Sequence, residues 1–121
     1  MTVSFKVSDL RKMNENLKEF ADFLRANSVG EEDVFASRLV SCELITNVII
    51  HSGEEAVFSG RLTGGGIEIT VAASGVDCVD LSPTLPDAFA ESGRGMYIVN
   101  CLCGGNMEKE DGALKVFIKR R

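Results

Sequence analysis

Apolar and polar residues alternate from Thr2 to Val7, placing Val3, Phe5 and Val7 on one side and predicting a short, half-buried strand. The period then lengthens. Leu10, Met13, Leu17, Phe20 and Leu24 recur at spacings of three and four, which predicts an amphipathic helix to about Ala26. Ser8 is the expected N-cap, with Asp9 in the first turn. Asn27-Ser28-Val29-Gly30 interrupts the pattern. A second helix starts near Glu31-Glu32-Asp33, acids suited to a helix N-terminus, and runs to Ser52-Gly53. Strands over residues 56–62 and 67–73 flank Thr63-Gly64-Gly65-Gly66, a loose hairpin turn, with Ile67, Ile69 and Val71 sharing one face.

Residues 76–91 contain both prolines and show no sustained period, so they read as a loop with at most one helical turn. A third helix is expected from about Gly95 through Leu102, stopped by Gly104-Gly105. The pattern closes on a hairpin: a strand over 106–110, the turn signal Asp111-Gly112, and a strand over 114–119. This order implies one domain over residues 1–121 of the α/β (α+β) class, a two-layer sandwich. Its sheet is expected to be mixed, mostly antiparallel, with the helices on one face.

Composition narrows the function classes. A net charge of −5 argues against a general nucleic-acid binder, which needs a basic face to displace counterions. The basic residues at 119–121 read as a solvated end. The first residues alternate in polarity and form no apolar leader core. No run approaches the roughly 18 apolar residues of a membrane span, so a cytoplasmic location is expected. Cys42, Cys78, Cys101 and Cys103 lack metal-site spacing, and only one histidine exists to help them. They read as mostly buried, reduced thiols.

Candidate chemistry begins on the second helix. Glu43, Asn47 and His51 lie four residues apart, so they form one slanting polar stripe. Around them stand Val34, Phe35, Leu39, Val40, Leu44, Ile45, Val48, Ile49 and Ile50, and a helix apolar nearly all round is normally buried. Polar groups there need partners, supplied by the fold or by a ligand. An amide oxygen is a hard ligand that Mg²⁺ accepts beside phosphates and water. A carboxylate one turn away suits a general base. The plainer reading is a polar edge satisfied by backbone and water, with His51 capping helix carbonyls.

Two glycine-bearing segments add to this. Ser92-Gly93-Arg94-Gly95 opens the third helix, where free N–H groups suit a phosphate. It is not a dinucleotide-binding fingerprint, because Ile98 occupies the third glycine position, and no P-loop motif occurs. Ala73-Ser74-Gly75 ends a strand and alone would be only a turn.

Together, Glu43-x-x-x-Asn47-x-x-x-His51, a strand ending at Gly75, Gly93-x-Gly95 opening a helix, and Gly112 before the last strand resemble the GHKL (Bergerat) ATPase, or histidine-kinase-like ATPase, fold. Within it the chain is most similar to the small stand-alone anti-sigma-factor serine/threonine kinases of bacteria. The resemblance covers nearly the whole chain, including the Met96-Tyr97-Ile98-Val99 run. It implies ATP and Mg²⁺ as cofactors, Glu43 as general base and Asn47 as the Mg²⁺ ligand. It implies that Gly75 and Gly112 belong to the nucleotide site and that Gly93, Arg94 and Gly95 line the triphosphate. The loop between Asp77 and Glu91 would be a lid. Two positions depart from the family pattern: Ala73 stands where an aspartate accepts from the adenine amino group, with Asp77 at a second glycine position, and Ala113 stands where a threonine helps hold adenine.

The resemblance implies a protein kinase that phosphorylates a STAS-domain antagonist and holds a sigma factor inactive, hence a regulator of transcription with a degraded adenine pocket. It also implies a homodimer, for which Thr2–Val7 and the first helix offer a face. The alternative is a non-catalytic partner-switching module of the same fold with little or no nucleotide binding. A scaffold domain using its sheet face is a third class.

Overall fold

The computed structural model describes residues 2–52, 55–73, 94–110 and 112–120, with backbone alone at 51, 52, 94–97 and 110. Within them the order is β1 (Thr2–Val7), α1 (Leu10–Ala26), α2 (Glu31–Ser52), β2 (Ala56–Leu62), β3 (Gly66–Ala72), α3 (Arg94–Cys103), β4 (Met107–Glu110) and β5 (Ala113–Lys119). The strands form one sheet in the order β1-β2-β3-β5-β4, and every described pairing is antiparallel. The sequence pattern suggested a mixed sheet. β4 does run parallel to β3, but β5 lies between them, so no parallel pair is hydrogen-bonded among the described residues.

The period-two pattern sets which face is buried. Phe58 and Leu62 of β2, Ile67, Ile69 and Val71 of β3, and Leu114, Val116 and Ile118 of β5 all enter the core. The register places Ile69 opposite both Gly60 and Val116, so these rows share one side. The helices cover that side, contributing Leu17, Phe20 and Leu24 from α1 and Val40, Leu44, Ile45 and Val48 from α2. Phe20 stands edge-on to Phe58 at 5.1 Å between ring centroids, and Phe5 stacks on Phe58 at 6.0 Å. Gly60 lies beneath Phe20, where a Cβ would fall 2.9 Å from Cζ and closer still to Cε1. The missing side chain is what lets the ring approach the sheet.

Local details correct three expectations. Asp9, not Ser8, caps α1: its carboxylate accepts from Lys12 N–H at 2.7 Å, the third helical position an N-cap side chain can reach. The α2 helix is not buried all round, because Phe35 is 67% and Ile50 65% exposed. Cys103 is buried and Cys42 half-buried, but Cys101 faces solvent, and all three are free thiols. Burial pushes the Cys42 and Cys103 thiols up, away from the reactive thiolate. Cys78 lies outside the described residues. No helix among the described residues is long and apolar enough to cross a membrane.

One core position is badly matched to its surroundings. Ser37 is fully buried in α2 and its hydroxyl has no partner among the described residues, while Ser41 spends its own hydroxyl on the Ser37 carbonyl at 2.7 Å. An unpaired buried polar group costs about 1–3 kcal/mol, and alanine is also the better helix former. Ser37→Ala is therefore expected to raise stability by about 1 kcal/mol. Urea denaturation followed by circular dichroism should show a higher midpoint at unchanged slope.

Candidate functional site

The direction of the helices over the sheet decides what meets what. The start of α2 (Glu31, Glu32, Asp33, Phe35, Ala36), the end of α3 (Cys101, Leu102, Cys103) and the end of β5 (Ile118, Lys119) line one groove. Arg120 reinforces that end by donating to the carbonyls of Asn27 and Ser28, at 3.2 Å each. With α2 packed against α3 and their opposite ends together, the two helices run antiparallel. At about 1.5 Å rise per residue, the start of α3 then lies level with the C-terminal half of α2. That half carries Glu43 and Asn47 and lies toward the Ala72–Ala113 end of the sheet.

Glu43 and Asn47 sit at the margin of the buried face of α2, beside fully buried Val40, Leu44 and Val48. Both are half-buried. The Asn47 Nδ2 is sequestered from solvent yet has no hydrogen-bond partner among the described residues. A carboxamide carries a donor and an acceptor on one carbon, and a half-turn exchanges them. In one orientation Asn47 offers an N–H to a ligand oxygen; in the other it offers a hard oxygen to a cation. The side chain thus has the donor set an ATP–Mg²⁺ complex would use.

Arg94 and Gly95 form the first turn of α3, where N–H groups lack intrahelical acceptors. Gly75, Gly93, the 77–91 segment and the side chains of His51 and Arg94 lie outside what is described. Gly112 does turn at the predicted place, with φ +77°, a left-handed conformation that favours glycine. Its carbonyl accepts from the Ala73 N–H at 3.0 Å. Ala72 pairs with Ala113 in the ladder, so the two positions that depart from the family pattern are neighbours. Ala73 and Ala113 are each half-buried.

A groove of about 1010 Å³ lies at the other end of α2. It contains none of the predicted site residues. Its acids are already engaged: Glu31 pairs with Arg25 at 2.9 Å, and Glu32 and Asp33 have partners of their own. Size alone does not make it the site. Sequence reasoning missed the Ala73–Gly112 bond and the exposed stripe of α2 that includes Phe35. The only signal for the stripe was that α2 has more apolar positions than one face can bury.

Residues 7–104 match the family model of the histidine kinase-like ATPase domain. No curated protein matches the chain.

Proposed function

The chain belongs to the histidine kinase-like ATPase domain family, and from that premise we propose that it is an ATP–Mg²⁺-responsive regulator of the anti-sigma type. The observation that carries this reading is the sequestered Nδ2 of Asn47, without a partner among the described residues and one turn from Glu43 on α2. A ligand oxygen would satisfy that N–H. In this reading Asn47 holds the metal and the N–H groups opening α3, with Gly93, Arg94 and Gly95, hold the phosphates. Among the described residues no three His, Cys, Asp or Glu side chains cluster for a metal, so phosphate and water oxygens would complete its shell. Bound magnesium would offset phosphate charge as the γ-phosphoryl transfers. Glu43 would take the proton from a serine hydroxyl of a STAS-domain antagonist. The same protein would hold a sigma factor when the antagonist is phosphorylated, as a cytoplasmic protein, with β1 and α1 available for homodimer formation.

A second reading is favoured by a different observation. Ala73 and Ala113 offer no polar side-chain atom to a base, and the Ala73 N–H is already committed to Gly112. A hydrogen bond to a charged group is worth about 1.5–3 kcal/mol, or roughly tenfold to a hundredfold in affinity. A domain so placed would bind nucleotide weakly and act as a partner-switching module without catalysis.

Calorimetry and thermal-shift titration with ATP, ADP and GTP separate the two. The expected result is weak binding of ATP–Mg²⁺ by the natural sequence, tightened about tenfold or more in Ala73→Asp/Ala113→Thr. No shift at millimolar nucleotide would select the non-catalytic module. No gain in the double variant would show that this corner is not the base site.

A further inference from the structure

Between α1 and α2, on the side away from the sheet, runs a short valley lined by Asn14, Leu17, Phe35, Arg38, Leu39 and Cys42. Leu17 is its buried floor, and Phe35 stands as a wall with 67% of its surface exposed. Covering that ring together with the apolar cleft beside it would remove hydrocarbon from water. The volume, about 220 Å³, is below the roughly 300 Å³ where small-molecule pockets begin. It suits one or two apolar side chains from a larger partner.

Cations outnumber acids on the rim, although the chain as a whole is acidic: Arg38, Arg11 and Lys18 stand against Glu15, one turn from both α1 cations, and Glu43 beside Cys42. Arg38 is exposed on the α2 flank. On α1, Arg11 and Lys18 precede and follow Asn14 by three and four residues, so they share its stripe along the valley. None of the three has an ion-pair partner among the described residues. We propose that this valley docks an acidic amphipathic helix of a partner protein, whose apolar side chains enter between Phe35 and Leu17 while its carboxylates meet Arg11, Lys18 and Arg38.

Charge complementarity selects this occupant over the others. A second copy docked about a two-fold axis here would bring Arg38 and its cationic neighbours against themselves. A nucleic acid would make no use of the apolar floor and would meet the field of a chain with net charge −5. A helix laid in a groove reads such a surface through anchors spaced three and four apart. The docking requires no nucleotide, so its test and the nucleotide titration fail independently.

The probe is a fluorescein-labelled peptide of about 18 residues, long enough to form a helix on binding, with leucines at alternating spacings of three and four and glutamates elsewhere. Its control replaces every glutamate with lysine. Fluorescence anisotropy with the whole chain is expected to show saturable, salt-weakened binding of the glutamate peptide and none of the control. Arg38→Glu and Phe35→Ala should each raise Kd about tenfold or more. Both side chains are exposed, so neither change should unfold the protein, and Lys115→Ala on the sheet face should bind as the natural sequence does. Equal binding of the lysine peptide, or no binding at roughly millimolar protein, would overturn the proposal. So would Kd values untouched by the two variants, or displacement by a single-stranded oligonucleotide. A dimer in sedimentation that Phe35→Ala dissociates would give the valley to a second copy and likewise overturn it.

Discussion

Asn47→Ala is expected to abolish the stabilisation of this protein by ATP–Mg²⁺ while leaving the ligand-free fold intact. Ligand at about ten times its dissociation constant adds roughly 1.4 kcal/mol. For a domain of this size that corresponds to a rise of about 5 °C in Tm. The variant should show none of it. Its ligand-free stability should stay within about 1 kcal/mol of the natural sequence, because the lost amide had a sequestered Nδ2 without a partner among the described residues. Truncating a well-paired polar group would instead be plainly destabilising. Differential scanning fluorimetry with and without ATP–Mg²⁺ reads both effects. An ATP-dependent shift that survives Asn47→Ala would remove this residue from the metal site.

The second large effect concerns the core. A Cβ at position 60 would collide with Phe20 Cε1 and lie 2.9 Å from Cζ. Phe20 cannot yield easily, since it is fully buried and set edge-on against Phe58. Gly60→Ala should therefore cost about 3 kcal/mol, the upper end of the range for overpacking. Phe20→Ala should cost about 3–5 kcal/mol by leaving a cavity. The two changes are coupled: removing the ring removes the collision, and the added methyl partly fills the void. The double variant should lose less than the sum of the two by about 1 kcal/mol or more. Urea denaturation of all four proteins measures this, and strict additivity would mean that Phe20 moves aside freely.

Why did some parts of the molecule follow from the sequence and others not? Elements with one clear period did: β1 is Thr2–Val7, and α1 ends at Ala26 as Leu10-Met13-Leu17-Phe20-Leu24 implied. Alternation in residues 67–71 likewise named the buried face of β3. The chain's order along β3, α3, β4 and β5 was also readable, but not that β5 would insert between β3 and β4. Strand neighbours are set by packing across the sheet, and period-two patterns carry no information about them. On α2 the stripe was visible while its orientation was not. Apolar residues surround that helix, so only the packed structure decides that Leu44 is buried and Phe35 exposed. Similarly, Ser8 and Asp9 are comparable caps by residue type, and backbone geometry chose between them. At the site, residue types and spacings named Glu43, Asn47 and Gly112. The close meeting of Ala73 with Gly112 is a tertiary fact, made across some forty residues of chain.

The place of β5 has a consequence for how the protein is made. Residues 113–119 are the last of the described segments to leave the ribosome, yet they occupy an interior position flanked by β3 and β4. Until they arrive, the paired strands β1, β2 and β3 have an open edge at Ile67, Ile69 and Val71, and β4 has no partner among the described strands. Such an unfinished border is a hazard for wrong association during synthesis. Cooperative completion of the domain therefore waits on a single seven-residue stretch, and any early stop before it would leave β3 and β4 without the strand that joins them.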